Sequence, residues 1–390
     1  MRVVVVAEYY PRERDPVLGV WAHRQALAAR DAGAEVRVLV LHRPIPSKAA
    51  LRSRSPRALI EPLLQPLKTE LDGIEVRYVP FVAPPRPRSY GSWGAWAAPS
   101  LALALRRLRR SFPFDLVHAH YASPAGDAVR RARVERPLVV SVHGGDVLSV
   151  AEESAAGRRA VEGALSCARL VLANSAAIER RCLALGATAT RVVHLGTDIP
   201  AARKPRESRD PRLVTVGHLV ARKRHADVLR ALWLLRDSHP DLRWVVVGEG
   251  PEREPLEHLA RELGLADRVV LRGQLAPEQA LEAAWDASVF VLPSIDEAFG
   301  VAYIEAMAGG VPAIGCIGEA GPEEIAAAGE GMRLVPPGDP EALVSELRGL
   351  LDEPRWRREL GVAARATVQE SFTWEACGRA TVAAYEEALR

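Results

Sequence analysis

Two glutamates with seven residues between them are the feature of this chain with the most evident chemistry. Glu297 and Glu305 bracket the run Ala298-Phe299-Gly300-Val301. The apolar residues 289–292 predict a strand that ends in a loop carrying Glu297. A helix is expected to start near Phe299 and Gly300 and to carry Glu305. If the whole stretch is helical, two turns separate the carboxylates by about 12 Å. The free N–H groups and the positive dipole end between them suit phosphate oxygens. Gly300 lets the backbone come close. One segment could thus hold hydroxyls at both ends of a sugar nucleotide and its phosphates in the middle.

Three further groups are candidates. Gly217-His218-Leu219-Val220-Ala221-Arg222-Lys223 follows another predicted strand. Lys223 could neutralise charge developing on a leaving diphosphate; the plainer reading is a solvated basic turn. His143-Gly144-Gly145-Asp146 closes a strand of the first half and could hydrogen-bond a hydroxyl, or be structural. Gly19 lies in the loop after the first strand, where glycine also serves ordinary turn geometry. Gln274, after a strand ending at Arg272, is the candidate for a contact to a nucleotide base. No Asp-x-Asp pair is present, and His118 and His120 would share one strand face without carboxylate neighbours in sequence. No metal is expected.

The elements that must position these groups are legible as alternating strands and helices. Residues 3–7 are a continuous apolar run, as a strand buried on both faces of a parallel sheet would be, and 115–120, reaching a polar end, and 138–142 read as further strands. A helix is predicted over 20–31, ending at Gly33, with a strand over 35–41. Such a βαβ unit crosses over right-handedly. The polar, Pro-containing stretch 200–212 reads as a linker, after which the pattern restarts. The expected class is α/β, with two doubly wound Rossmann-like domains facing a central cleft and ligands at the carboxyl ends of the strands. The domains are placed at 1–198 and 199–371, with an amphipathic helix at 372–390.

Composition narrows the class. The 390 residues are 48% hydrophobic and 26% charged, which excludes a disordered chain or a disulfide scaffold. A net charge of +3 is too small for a nucleic-acid-binding protein. Cys167, Cys182, Cys316 and Cys377 form no CxxC or His-paired spacing, so free buried thiols in a reducing compartment are expected. No signal-peptide pattern and no span of about 20 apolar residues is seen, so the chain is expected in the cytoplasm. Residues 93–110 hold Trp93, Trp96 and an apolar run, then Arg106, Arg107, Arg109 and Arg110. They could form an interfacial helix touching the inner face of a membrane, or a core helix with a basic outer side.

The order of these motifs resembles the retaining glycosyltransferases of family 4, which have the GT-B fold. The Glu297…Glu305 segment, continuing Glu305-Ala306-Met307-Ala308-Gly309-Gly310-Val311-Pro312, matches that family's two-glutamate motif. Gly217 to Lys223 resembles its G-R-L-x-x-x-K motif, His143-Gly144 its first-domain His-Gly motif, and Gly318 to Ile325 its G-G-x-x-E-I stretch. The likeness covers nearly the whole chain, including a last helix that crosses back to the first domain. It implies that Glu305 binds the donor ribose, and that Glu297 contacts the transferred sugar. Backbone N–H groups near Phe299 to Val301 would hold sugar hydroxyls and the diphosphate. Lys223 would bind the diphosphate, His143 would sit beside the donor sugar, and Gly19 would let its loop approach the phosphates. His218 stands where the family usually has a phosphate-binding arginine; either Arg222 or Arg224 supplies that charge, or the donor phosphates are held more weakly.

The resulting expectation is a metal-independent hexosyl or N-acetylhexosaminyl transfer from a nucleoside-diphosphate sugar to a hydroxyl on a glycan, glycolipid or small molecule. It needs no further cofactor. The alternatives are a sugar-nucleotide epimerase on the same fold and a non-catalytic nucleotide-sugar-binding protein. A hydrolase would need paired carboxylates roughly 5 to 9.5 Å apart, which two helical turns oppose. A dinucleotide-dependent dehydrogenase lacks a G-x-G-x-x-G after any strand.

Overall fold

The computed structural model describes residues 1–12, 15–46, 56–86, 89–201 and 211–390. It divides into two compact units, Met1–His194 with Glu375–Arg390, and Leu195–Trp374. The division falls at 194/195, a few residues before the 198/199 read from sequence. Most of the linker read at 200–212 lies outside the described residues.

The first unit is built on eight strands: β1 (Arg2–Ala7), β2 (Glu35–His42), β3 (Lys68–Leu71), β4 (Ile74–Pro80), β5 (Leu116–His120), β6 (Leu138–Val142), β7 (Leu170–Ala173) and β8 (Thr190–Val192). Their order is β3-β4-β2-β1-β5-β6-β7-β8. All neighbours run parallel except β3 and β4, which form an antiparallel hairpin at one edge. The residues of β1 from Val3 to Ala7 are fully buried, as a strand covered by helices on both faces must be. The chain leaves β1 toward β2 on one side and later returns to place β5 on the other. The carboxyl edge between β1 and β5 is therefore the point where the winding reverses, the place where open α/β sheets bind ligands.

The second unit repeats the plan with β9 (Arg212–Val216), β10 (Arg243–Val247), β11 (Val269–Leu271), β12 (Val289–Val291), β13 (Ala313–Cys316) and β14 (Met332–Val335). The order is β11-β10-β9-β12-β13-β14, parallel throughout. Here the winding reverses between β9 and β12.

The last helix, Trp374–Leu389, packs on the first unit. Its Gly378 is a contact only glycine permits: an added Cβ would lie 2.2 Å from the Ala28 carbonyl oxygen. Gln25 donates to Thr381 Oγ1 at 3.0 Å, and Tyr385 OH meets His118 Nδ1 at 2.7 Å. The helix Trp93–Ser111 buries Trp93, Ala97, Leu101, Leu105 and Leu108, so one face is a core face. Trp96 and Leu103 stay exposed, together with its four arginines. Cys167 is exposed, not buried as expected; the other three cysteines are buried and free. Among the described residues no helix is long and apolar enough to cross a membrane.

Candidate active site

In the second unit the winding-reversal point is bridged by an ion pair. Lys223 comes from the turn after β9, and Glu297 from the loop after β12. Lys223 Nζ lies 2.5 Å from Glu297 Oε2. The same oxygen accepts from Ser294 Oγ at 2.9 Å, and an Arg222 guanidinium nitrogen stands 3.9 Å away. Both side chains are about 10% exposed, at 11% and 10%. Burial raises the Glu297 carboxyl, but Lys223, Arg222 and Ser294 outweigh it and hold the group below its ordinary value. The carboxylate is therefore ionised and ion-paired with the Lys223 ammonium.

The loop carrying Glu297 is fixed from outside itself. Its backbone N–H donates to Glu319 Oε2 at 2.8 Å, and its carbonyl accepts from Gly321 N at 3.3 Å. Ser294 Oγ lies 3.1 Å from Tyr303 OH, which donates to the Leu292 carbonyl. Ser294, Glu319 and Tyr303 were not singled out from sequence. The i, i+3 spacing of Ser294 and Glu297 was the one local signal available; Glu319 becomes a neighbour only through the fold.

Gly300 has φ 86° and caps the helix Val301–Ala308. A Cβ there would stand 2.4 Å from the Tyr303 ring. The expected helix thus begins at Val301, and residues 297–300 are loop. The two-turn, 12 Å separation of Glu297 and Glu305 does not apply, because only the second half of the stretch is helical. The helix still brings the N–H groups of its first turn to the end of this loop, that of Tyr303 donating to the Gly300 carbonyl at 3.0 Å. Glu305, half-buried, sits one turn into that helix. Ala298 and Phe299 are buried, and Phe299 packs edge-on to Phe372 at 5.6 Å.

Gly217 ends β9, where its N–H donates to the Val247 carbonyl. The tight approach belongs to Gly248, whose added Cβ would lie 1.9 Å from the Gly217 oxygen. His218 and Arg222 are exposed beside this turn, and Arg224 pairs with Asp227 at 2.6 Å. Gln274 is exposed on the turn after β11, the edge strand two places from β9.

In the first unit the corresponding point holds a group of histidines. His118 and His120 lie on β5, with ring centroids 4.5 Å apart. His118 Nε2 meets Ser141 Oγ at 2.8 Å. His120 Nδ1 meets His143 Nε2 at 3.0 Å, their rings stacked at 5.2 Å. Burial pushes His118 and His143 down to about 3, and His120 well below its ordinary value, so all three are neutral. Tyr121 and Trp21 flank the His143 ring at 5.1 and 6.1 Å. Asp146 does not pair with a histidine side chain; it accepts from the N–H groups of Ala122 and His143 at 2.9 and 3.3 Å. Burial pushes its carboxyl up to about 6. Gly19 has φ 67° and a Cβ there would lie 2.2 Å from the Tyr9 carbonyl carbon, so the loop requires glycine. Among the described residues no group of three or more His, Cys, Asp or Glu is arranged to hold a metal ion.

Two family models match consecutive stretches of the chain. "Glycosyl transferase 4-like domain" covers residues 18–197, and "Glycosyl transferases group 1" covers 198–367. The chain is a family-4-type glycosyltransferase with the GT-B fold. This glycosyltransferase is 35% identical over 200 residues to an MMP alpha-(1->4)-mannosyltransferase of Mycolicibacterium hassiacum, covering 51% of this chain and 48% of that one. It is 27% identical over 391 residues, 95% of each chain, to a Bacillus subtilis protein named as a teichuronic acid biosynthesis glycosyltransferase. Anabaena HepE, solved in complex with UDP-glucose, superposes with a TM-score of 0.72 at 20% identity, covering 99% of each chain.

Proposed function

We propose that this glycosyltransferase moves a hexosyl or N-acetylhexosaminyl unit from a nucleoside-diphosphate sugar to an acceptor hydroxyl, with retention and without a metal ion. The observation that carries the reading is the Lys223–Glu297 pair across the β9/β12 reversal point, next to the N-terminus of the helix Val301–Ala308. A cation and a helix N-terminus at one strand edge supply the positive charge that a departing diphosphate needs, the part a metal plays elsewhere. The mannosyltransferase relative and the UDP-glucose complex of a fold neighbour agree with a nucleotide-sugar donor.

In this reading the bond from the sugar's anomeric carbon to the diphosphate oxygen breaks as charge builds on that oxygen. The acceptor oxygen bonds to the same face of the carbon, and its proton passes to the leaving phosphate. Lys223 steadies the phosphate charge, while Glu297 orients the sugar hydroxyls and keeps the ammonium in place before the donor arrives. Glu305 takes the ribose hydroxyls. His143, neutral, can accept from or donate to a sugar hydroxyl without bringing a charge beside the developing oxocarbenium ion. For an acceptor carried on a lipid, the exposed face of the helix Trp93–Ser111 is the surface that would meet the membrane.

The experiment is thermal stabilisation by UDP-, GDP- and ADP-sugars and their free diphosphates, with magnesium or with a chelator. A ligand that binds the folded state raises its apparent stability. A shift with one nucleotide family, unchanged by chelation and weakened in Glu305→Ala, is expected. No shift with any donor at millimolar concentration would overturn the reading, and a shift that needs magnesium would overturn its metal-free part.

A further inference from the structure

Beside the histidine group, at the carboxyl ends of β1 and β2, the first unit holds more positive charge than its own carboxylates answer. Glu8 directly follows β1. Arg86 donates to its Oε1 at 2.6 Å, and Tyr90 OH donates to its Oε2 at 2.5 Å. Arg86 also lies over the Tyr90 ring, 3.7 Å from its centroid. Glu8 is thereby fully engaged. Two more guanidinium groups face the same space. Arg43, just after β2, lies 5.4 Å from the Trp93 ring centroid and spends its Nε on the Ala83 carbonyl at 2.8 Å. Arg12 has its backbone tied to Asp15 by two 3.0 Å hydrogen bonds, while its Nε is buried with no hydrogen-bond partner. Among the described residues neither Arg12 nor Arg43 is in ion-pair contact with a carboxylate; Glu8 and Asp15 act on Arg12 only at longer range.

Glu8, Arg12 and Arg43 line a cavity of about 110 Å³, together with Tyr9, Trp93 and apolar side chains; Arg86 and Tyr90 are not in its lining. That is close to four times the roughly 30 Å³ a water molecule occupies in the liquid. It has room for a carboxylate or phosphoryl group and not for a nucleotide. A buried donor without a partner is costly, and a buried cation without a counter-ion more so. Burial accordingly lowers both arginines from their ordinary values. Each still has forked N–H donors that match a planar carboxylate or a phosphate bidentately.

We propose that this cavity is a subsite for an anionic group, phosphoryl or carboxylate, on the acceptor, held by Arg12 and Arg43. The inference rests on reading the first unit as the acceptor-binding one. The donor's own phosphates are assigned to Lys223 in the other unit, which leaves this charge to a second substrate. The acceptor class is then an acidic sugar or a phosphorylated alcohol, in preference to a neutral glycan. Glu8, which also lines the cavity, is held by Arg86 and Tyr90, so its charge is answered by those two side chains and does not consume Arg12 or Arg43.

The test is calorimetric titration of the full chain, with saturating nucleoside diphosphate present to occupy Lys223. The probes are inorganic phosphate, glucuronate and glucose. Phosphate or glucuronate should bind at least tenfold more tightly than glucose, with the advantage shrinking at high salt. Arg12→Gln and Arg43→Gln should each abolish the advantage, while Arg12→Lys, which keeps the charge, should retain part of it. Arg43 is half-exposed, so its variant keeps the test alive if Arg12→Gln fails to fold. Which anion wins distinguishes a phosphorylated acceptor from a uronic one. Equal affinity for charged and neutral probes, or an advantage that survives Arg43→Gln, overturns the subsite. Failure of the transferase reading shows differently: no nucleoside diphosphate stabilises the chain, whatever the anion probes do.

Discussion

At the winding-reversal point of the second sheet, two opposite charges are held 2.5 Å apart with a third group, Ser294, donating to the same oxygen. At the matching point of the first sheet, three histidines lie in contact and none is charged. The two sheets are alike in winding and differ in electrostatics. A buried ion pair suits a ligand that arrives already charged, because its phosphates add to an arrangement already paid for in desolvation. A neutral imidazole suits hydroxyls, which need a donor or acceptor at fixed geometry and little net field. The two edges thus differ in the charge that their residue types present beside the β9/β12 and β1/β5 reversal points.

The largest expected effect breaks the charged side of this comparison. Lys223→Met should lower transfer by about a hundredfold or more, in line with the loss of one strong transition-state donor. It also leaves Glu297 buried without its main counter-ion, and breaking such a pair costs roughly 3–5 kcal/mol. The double variant with Glu297→Gln should recover much of the melting temperature and none of the activity. Recovery of both would show that the pair is structural only.

A smaller effect probes the neutral side. His120→Phe keeps a ring against His143 and removes the 3.0 Å contact to its Nε2. We expect kcat to fall about tenfold, the scale of losing one hydrogen bond of roughly 1.4 kcal/mol, with nucleoside-diphosphate affinity unchanged. A matching loss of donor affinity would mean that the histidine group supports the fold at large and not the orientation of His143.

The smallest effect sharpens the contrast through pH. His118 and His143 have folded values of about 3, far below the usual 6.5, so their contribution is present above pH 6.5 and is lost as pH falls toward 3. Asp146 acts in the opposite sense: raised to about 6, its contribution is present below its usual 3.8 and is lost as pH rises through 6. Glu8, also raised by burial, has the same sign. In the second unit Glu297, lowered, contributes above its usual 4.5 and loses that only as pH falls further. His225, pushed down to about 4 by burial, is that unit's one buried neutral histidine with a resolved shift. Between pH 6.5 and 4.5, hydrogen exchange should therefore show β5 and β6 losing protection before β9 and β12. Simultaneous loss in both sheets would remove the contrast.

Much of this architecture could be read from local pattern. The helix Val20–Asp31 appears at its predicted bounds, and β1 within one residue, because a run of valines and a helix followed by Gly33 are strong local signals. The β3–β4 hairpin went unread, although Asp72-Gly73 forms its turn at φ 47° and 79°, the pattern that favours such a hairpin. β3 is short and lies at the sheet edge, with no buried residue along it, whereas β4 alternates cleanly over Ile74 to Tyr78. β13 and β14 were passed over as well; short apolar stretches beside glycine do not distinguish strand from helix end.

The residue types and their order determined by themselves the alternation of strands and helices, the two-sheet plan, and the candidates Glu297, Lys223, His143 and Gly19. These follow from burial periodicity, turn chemistry and motif spacing, all local along the chain. The tertiary structure decided which of them meet: Lys223 with Glu297 across 74 residues, His143 with His120 in place of Asp146, and Tyr385 of the last helix with His118. It also decided that Arg12 and Arg43 face one small cavity. Such pairings depend on strand order and register, which put distant residues on one edge, and no local spacing encodes them.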